Sequence, residues 1–254
     1  MAGKSTVIAV SGKGGVGKTT LSACIVRHLT ERRPGARILA IDADPAIGLS
    51  VALGVNADRT LDDIRKTIVH NVEAGQTKEA IEMLGEARFR IFDAITEKDG
   101  FAFLAIGRPE SAGCYCKVNA YLKEVISLLA EDFDYVVIDG EAGIEQINRR
   151  VMEKVTHLLL VTDQSRKGVQ VLQTIKKVAD EMVMYDRIGA VVNRVSNPEY
   201  EKLIEIPGVE ILAFIENDGD HASNDIQGRS VFALPEDSRV FAGALAALRK
   251  MDIL

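Results

Sequence analysis

The stretch TVIAVSGKGGVGKTT, residues 6–20, decides the fold of this chain. A β-branched apolar run leads into a glycine-rich loop, and a helix is predicted to follow from Lys18 to Arg32. The loop matches the pattern G-x-x-x-x-G-K-[ST] through Gly12, Gly17, Lys18 and Thr19. Glycines let the backbone N–H groups turn toward phosphate oxygens, and the start of the helix adds the positive end of its dipole. The stretch therefore predicts a phosphate-binding loop between a buried strand and a helix.

The side chains of this loop indicate its ligand. Lys18 is placed to reach the β- and γ-phosphates of a nucleoside triphosphate, and the Thr19 hydroxyl is placed to bind Mg²⁺. A glycine-rich turn that binds nothing is the alternative, but the motif and its strand–helix context agree. We expect the whole loop to contact the nucleotide, through Gly12, Lys13, Gly14, Gly15, Val16, Gly17, Lys18, Thr19 and Thr20.

Strand-like and helix-like segments alternate along the rest of the chain. Further apolar runs are ARILAID (36–42), FAFLAIG (101–107), DYVVIDG (134–140), THLLLVT (156–162), RIGAVVN (187–193) and VEILAFI (209–215). Continuous apolar runs suit strands that are covered on both faces, and alternating strand–helix units favour a parallel sheet. We predict an α/β fold, a doubly wound and mainly parallel sheet with helices on both faces. Residues 1–254 are predicted to form one domain, with a polar helical insertion at about 58–95.

Composition restricts the classes of partner and the compartment. The chain has 254 residues, a net charge of −6 and three cysteines. Three cysteines are too few for a disulfide framework, which favours a reducing cytoplasm. The acidic balance argues against nucleic acid as a partner. The sequence has no apolar run long enough for a membrane span, so we expect no membrane partner.

A second lysine in the loop points to a particular class of nucleotide-binding protein. Lys13 at the start of the loop cannot easily curl back to its own phosphates. At this position the sequence resembles the deviant P-loop ATPases, which include MinD, ParA and the nitrogenase iron protein. The resemblance implies that Lys13 crosses a dimer interface to the partner's nucleotide, so that ATP joins two chains face to face. A solvated surface lysine is the alternative.

Carboxylates at strand ends agree with this resemblance. Asp42 and Asp139 each end an apolar strand, and the carboxyl edge of a parallel sheet is where ligands bind. For Asp42 a turn or helix cap is the alternative. The resemblance implies that Asp44 orients the attacking water, that Asp139 holds Mg²⁺ through its water shell, and that the Gly143 N–H senses the γ-phosphate.

The same resemblance extends to the base of the nucleotide. The strand ending VVNRV supplies Asn193 and Arg194, which resemble the adenine contacts of the ATP-binding branch. The loop LPEDS, residues 234–238, supplies Pro235 and Glu236 on the second side of the base. These residues favour ATP over GTP.

Two of the three cysteines are candidate metal ligands. Cys24 falls on the apolar face of the first predicted helix and is expected in the core. Cys114 and Cys116 lie in SAGCYCKVN (111–119), just ahead of a predicted helix, a position that favours thiolate. A closed tetrahedral site needs four ligands, and a two-fold dimer would supply two thiolates from each chain. A redox thiol pair, or loop cysteines without a role, are the alternatives.

A more specific resemblance covers nearly the whole chain. GCYCKVNAYL (113–122) and IDGEAGIEQINR (138–149) resemble the CooC-type nickel-insertion ATPases, maturation factors for carbon monoxide dehydrogenase. The resemblance implies an ATPase that forms a homodimer on ATP and binds Ni²⁺ or Zn²⁺ through Cys114 and Cys116. It implies delivery of nickel to carbon monoxide dehydrogenase or a related nickel enzyme, and does not separate that client from acetyl-CoA synthase.

Two other functions stay open on the residues alone. An iron–sulfur electron donor like the nitrogenase iron protein would also use two thiolates per chain, although in that family they lie far apart in sequence. A positioning ATPase like MinD or ParA would need a basic membrane-binding tail or a basic DNA-binding face. The four histidines, His28, His70, His157 and His221, show no ligand spacing, and we expect them to be solvated or in the core.

Overall fold

One mixed sheet organises the chain. The computed structural model describes residues 5–75, 77–107, 116–142, 151 and 154–254. The strands are β1 (Thr6–Gly12), β2 (Ile38–Asp42), β3 (Thr96–Lys98), β4 (Phe101–Ala105), β5 (Tyr135–Ala142), β6 (His157–Asp163), β7 (Arg187–Val195) and β8 (Glu210–Glu216). Their order across the sheet is β3-β4-β2-β5-β1-β6-β7-β8. Only the β3–β4 pairing among these strands is antiparallel, so the predicted fold class is confirmed.

Helices cover both faces of the sheet. They are α1 (Lys18–Arg32), α2 (Gly48–Leu53), α3 (Leu61–Glu73), α4 (Thr77–Gly85), α5 (Ala87–Asp93), α6 (Cys116–Ala130), α7 (Arg166–Met182), α8 (Gly219–Ile226) and α9 (Arg239–Lys250). Alternate residues of each strand pack on opposite faces. In β6, Leu158 and Leu160 join one core with α6 and α7, whereas Leu159 and Val161 join the other with α1 and α9.

The central position belongs to β1. It pairs in parallel with β5 on one side and with β6 on the other. Every residue from Val7 to Gly12 is buried. The loop that follows β1 therefore starts at the middle of the carboxyl edge of the sheet, where the ends of the neighbouring strands surround it.

The segment predicted as a helical insertion contains α3, α4 and α5. Ile68, Ala87 and Ile91 from α3 and α5 share one apolar core with the sheet residues Leu39 and Leu104. The short strand β3 was not predicted from the sequence. It pairs with β4 from Thr96↔Phe103 to Lys98↔Phe101 and ends the sheet with an antiparallel edge. Among the described residues, no helix is long and apolar enough to cross a membrane.

Candidate nucleotide site

The glycine-rich loop occupies the junction between β1 and α1. Gly17 precedes α1 in the left-handed conformation, with φ 94°, which glycine adopts without a steric penalty. The Lys18 side chain is buried, and its Nζ donates a hydrogen bond to the Lys13 carbonyl at 3.3 Å. A buried ammonium group beside the helix N-terminus gives this loop the positive character that a phosphate site requires.

The start of the loop is fixed against β6. The Lys13 backbone N–H donates to the Val161 carbonyl at 3.2 Å. A Cβ added at Gly12 would lie 2.0 Å from that same carbonyl oxygen. Only glycine allows the two backbones to approach this closely, so Gly12 sets the position of the loop on the sheet.

Two carboxylates meet beside the loop. Asp42, the last residue of β2, is the register partner of Asp139, which the structure places three residues before the end of β5. Asp42 accepts hydrogen bonds from the backbone N–H groups of Asp44, at 3.1 Å, and Leu49, at 2.8 Å. Burial, followed by the nearby charge of Asp139, raises the pKa of Asp42 to about 7. In the nucleotide-free chain this pair therefore concentrates negative charge that is unfavourable without a cation.

Asp139 has the features of a magnesium-site residue. One oxygen, Oδ1, accepts from the Ser22 hydroxyl at 2.9 Å, while Oδ2 is buried and has no hydrogen-bond partner among the described residues. Burial raises the pKa of Asp139 to about 6, against the hydrogen bonds from Thr19 and Ser22 and the charge of Lys18. A buried, unsatisfied carboxylate oxygen beside a threonine hydroxyl is a donor set that fits Mg²⁺. Thr19 and Asp139 are thus the residues that would hold it.

The segment after β2 carries the predicted water-orienting residue. Asp44 Oδ1 accepts from the Ala46 backbone N–H at 2.9 Å, which folds the segment into a local turn. Ile47, which precedes α2, is held in the left-handed region with φ 51°, a conformation that a β-branched residue rarely adopts. Asp44 therefore lies on a constrained turn next to the carboxylate pair.

We expect the raised pKa values to be visible in the stability of the nucleotide-free chain. Asp42 and Asp139 keep protons near neutral pH that the unfolded chain has already released. Their contribution is full below the ordinary pKa of about 3.8 and is lost as pH rises through about 6 and about 7. The Asp42→Asn/Asp139→Asn double variant should therefore become more stable relative to the parent between about pH 5 and pH 8, by about 4 kcal/mol.

Chemical denaturation at a series of pH values measures this difference. The difference between variant and parent is the informative quantity, because burial lowers the pKa of His28 and His157 and these act in the opposite direction in both proteins. Saturating Mg·ATP should suppress the trend in the parent, since a bound cation favours the ionised carboxylates. A difference that does not change with pH would contradict the assignment of these two groups.

The residues predicted to contact the adenine base lie in two places. Asn193 and Arg194 lie near the end of β7, and Pro235 and Glu236 come after β8 in the chain. Asn193 is buried, and its Nδ2 donates to the Val16 carbonyl at 2.8 Å. Its Oδ1 accepts from the Arg194 backbone N–H, so this side chain supports the phosphate loop in the nucleotide-free chain. Pro235 and Glu236 are exposed. Their adenine contacts stay a prediction.

Sequence reasoning missed a further loop beside Asn193. Asn217 donates from its backbone N–H to the Val195 carbonyl, which places residues 217–218, directly after β8, at the same edge of the sheet. Asp218 then accepts from the Ser238 hydroxyl at 2.6 Å and from the Val240 N–H at 2.9 Å. Asp218 thereby joins this loop to the LPEDS segment and the start of α9.

A cavity of about 340 Å³ opens beside the end of the phosphate loop. Thr19 and Thr20 line it together with residues from α2 and α8. Thr20 Oγ1 lies 3.2 Å from Nε2 of His221, a histidine expected from the sequence to be solvated or in the core. The two residues are far apart in the chain, and no local motif signals the contact.

Some of the remaining site residues predicted from the sequence lie within the described residues, and others lie outside them. Lys13 is paired with Asp163 at the end of β6, with 2.5 Å between Nζ and Oδ2. Cys24 is fully buried in α1, as predicted. Cys114 and Gly143 lie outside the described residues, and Cys116 is described only as the first residue of α6. Within the described residues, no group of three or more His, Cys, Asp and Glu side chains is arranged to hold a metal ion.

Known proteins are similar to this chain in sequence and in fold. An uncharacterized ATP-binding protein of Methanocaldococcus jannaschii is 37% identical over 240 residues, which cover 92% of this chain and 94% of that protein. The carbon monoxide dehydrogenase accessory protein CooC of Rhodospirillum rubrum is 30% identical over 251 residues, 94% of each chain. The crystal structure of the cell division ATPase MinD of Pyrococcus furiosus superposes with a TM-score of 0.67 at 25% identity, and covers 99% of both chains.

The family match agrees with the geometry of the loop. The model of the CbiA family, described as the CobQ/CobB/MinD/ParA nucleotide binding domain, matches residues 7–231. That range includes the phosphate loop, both strand-end carboxylates and the cavity beside Thr20. The chain is therefore an ATPase of the CobQ/CobB/MinD/ParA nucleotide-binding family.

Proposed function

We propose that the chain is an ATP-driven nickel-delivery factor. In this proposal two chains dimerise on Mg·ATP, bind one Ni²⁺ or Zn²⁺ between them and pass nickel to carbon monoxide dehydrogenase or a related nickel enzyme. The observation that carries the proposal is the pair Cys114 and Cys116 in a chain that is 30% identical to a carbon monoxide dehydrogenase accessory protein over 94% of both sequences.

The topology supports a link between nucleotide and metal. α6 begins at Cys116 and follows β4, which ends at Ala105. A helix that follows a parallel strand begins at the carboxyl edge of the sheet, which is also the edge that carries the phosphate loop. Two chains that meet across this edge would bring their nucleotides and their cysteine pairs together.

The ligand chemistry supports a shared ion. Each chain offers two thiols that are close in sequence, Cys114 and Cys116, whereas a closed site for a soft or borderline ion has four ligands. Cys24 does not compete, since burial raises the pKa of its thiol to about 12 and only the thiolate binds metal. The four ligands would therefore be Cys114 and Cys116 from each of two chains.

The nucleotide site supplies the driving reaction. The backbone N–H groups of the loop and Lys18 would hold the phosphates, and Thr19 and Asp139 would hold Mg²⁺. Bound Mg²⁺ neutralises charge that develops on the phosphate oxygens. Asp44 would orient water for attack on the γ-phosphate, and Lys13 would reach the nucleotide of the second chain. Loss of the γ-phosphate then loosens the dimer and releases the metal.

An anaerobic nickel titration tests the proposal. The parent chain should bind about 0.5 nickel per chain in the presence of a non-hydrolysable ATP analogue, and far less without it. The Cys114→Ser/Cys116→Ser variant should lose this binding while it retains nucleotide binding. That variant is a clean control because its remaining thiol, Cys24, is fully buried. Equal nickel binding by parent and variant, or tight binding by single chains without nucleotide, would refute it.

A second function is favoured by the structural match to MinD. That match covers 99% of both chains at 25% identity, so we also consider a positioning ATPase that acts on a surface. Co-sedimentation with anionic lipid vesicles, or with duplex DNA, in the presence of ATP separates the two functions. ATP-dependent binding to either surface, together with no nickel binding, would favour the positioning function.

Broad absorption near 400 nm in an anaerobic sample would instead indicate the cluster of an iron–sulfur electron donor.

A further inference from the structure

The ammonium group of Lys13 is held within its own chain. Its Nζ lies 2.5 Å from Oδ2 of Asp163, and the two side chains are 27% and 25% exposed. The Lys13 backbone N–H also donates to the Val161 carbonyl. Both contacts direct the first residue of the loop along the end of β6, so the lysine points at a neighbouring strand.

Asp163 is itself fixed from the opposite side. Its Oδ1 accepts from the Ser165 backbone N–H at 3.1 Å and from the Ser165 hydroxyl at 2.5 Å. The Ser165 hydroxyl accepts in turn from the Gly168 N–H and caps the N-terminus of α7. One carboxylate oxygen is thus bound to the helix start, and the other is left for Lys13.

The carboxylate is ionised at neutral pH. Burial alone would raise the pKa of Asp163, but the hydrogen bonds from Lys13 and Ser165 outweigh it and lower that pKa. The contact is therefore a charge-assisted hydrogen bond in a partly buried setting, which is stronger than a neutral one. It persists through the pH range in which nucleotide would bind.

We propose that Asp163 is a positioning residue for Lys13, which holds the lysine against β6 in the single chain and must release it before two chains close on their nucleotides. The inference rests on the proposed ATP-dependent dimer, in which the nucleotide of the second chain is the anion that Lys13 reaches after its release. Each closure breaks two such pairs by symmetry. The pair thereby sets how readily nucleotide-loaded chains associate.

The rate of acetylation of Lys13 reports on its ion pair with Asp163 in the nucleotide-free chain. Brief treatment with an acetylating reagent, followed by mass spectrometry, should label Lys13 several times faster in Asp163→Asn than in the parent. A matched control exists on α7, where Lys176 Nζ lies 2.7 Å from Asp180 Oδ2 and is exposed to a similar degree, 24%. Asp180→Asn should speed the labelling of Lys176 and leave that of Lys13 unchanged. An unchanged Lys13 rate in Asp163→Asn overturns the inference.

The dissociation constant of the dimer reports on the release of Lys13 from Asp163. Exposed and partly exposed ion pairs change an equilibrium by about two- to fivefold, so two pairs predict dimers of Asp163→Asn that are about four- to 25-fold tighter with a non-hydrolysable ATP analogue. Light scattering over a concentration series gives the dissociation constants. Asp163→Glu, which keeps the charge, should return toward the parent value. Equal or weaker dimerisation of Asp163→Asn overturns the inference.

A second variant, Gly168→Ala, keeps the Asp163 carboxylate but displaces it. A Cβ at Gly168 would lie 2.3 Å from Asp163 Oδ1, so Gly168→Ala should displace the side chain of Asp163 and reproduce both effects of Asp163→Asn.

The proposed dimer and the proposed role of Asp163 are refuted by different results. A parent chain that stays monomeric with the ATP analogue refutes the proposed dimer and, with it, the release step. A parent chain that dimerises while both variants match it refutes only the role of Asp163.

Discussion

Replacement of Lys18 with alanine is expected to reduce ATP hydrolysis by about 10²- to 10³-fold. The Lys18 ammonium is buried within the phosphate loop and donates to the carbonyl of Lys13, so we expect it to contact the charge that develops on the transferred phosphoryl group. Loss of one such preorganised donor has an effect of about this size in other enzymes. The rate of phosphate release at saturating Mg·ATP measures the change.

Lys167→Ala is the matched control for this substitution. Lys167 lies on α7 and is exposed. Its substitution by alanine removes the same charge from the chain and leaves the phosphate loop unchanged. Its turnover should stay within about twofold of the parent, as for most surface changes. If Lys18→Ala hydrolyses ATP at the rate of Lys167→Ala, then Lys18 does not stabilise the transition state.

Replacement of Gly12 with alanine should cost about 3 kcal/mol or more of the free energy of unfolding. Its Cβ would lie 2.0 Å from the Val161 carbonyl oxygen and within 3 Å of two further backbone atoms of that residue. Backbone atoms cannot rotate away as a side chain can, so β1 and β6 must separate. The φ of 152° at this position adds backbone strain for any residue with a side chain. Guanidinium denaturation followed by circular dichroism measures the loss.

Gly15→Ala separates this clash from the effect of backbone conformation. Gly15 lies in the same loop with φ 74°, and a Cβ there would meet nothing within 4 Å. It should cost only the penalty of a left-handed residue, about 1–2 kcal/mol. Equal losses for the two variants would show that the close approach of Gly12 to Val161 contributes nothing to stability.

Much of the fold follows from local sequence. The run of apolar residues before Gly12 and the motif after it correctly predicted β1 and the start of α1 at Lys18. Apolar runs also located the other long strands. The strand β3 was missed because it has three residues, of which two are exposed. It exists only through its pairing with β4, and three residues carry no periodicity that a sequence reveals.

The candidate site was only partly predictable for a related reason. Asp42 and Asp139 were found because each follows an apolar run in the sequence, and Asp163 follows the apolar run of β6 in the same way. The rule that selected the first two would have selected Asp163 as well. The contact between Thr20 and His221 joins residues 201 positions apart and follows only from the tertiary fold, which brings α8 and the start of α1 to one cavity. No spacing in the sequence encodes it.

The placement of β1 between β5 and β6 also determines when the protein becomes functional during synthesis. β1 is synthesised before both of its partner strands, at residues 135–142 and 157–163, and must wait for them. Pairings of such high contact order form slowly, and unpaired apolar strands are prone to aggregate. A nascent chain that ends before Val161 lacks the carbonyl that anchors Lys13. The phosphate loop therefore gains its anchor on β6 only after more than half of the polypeptide has emerged.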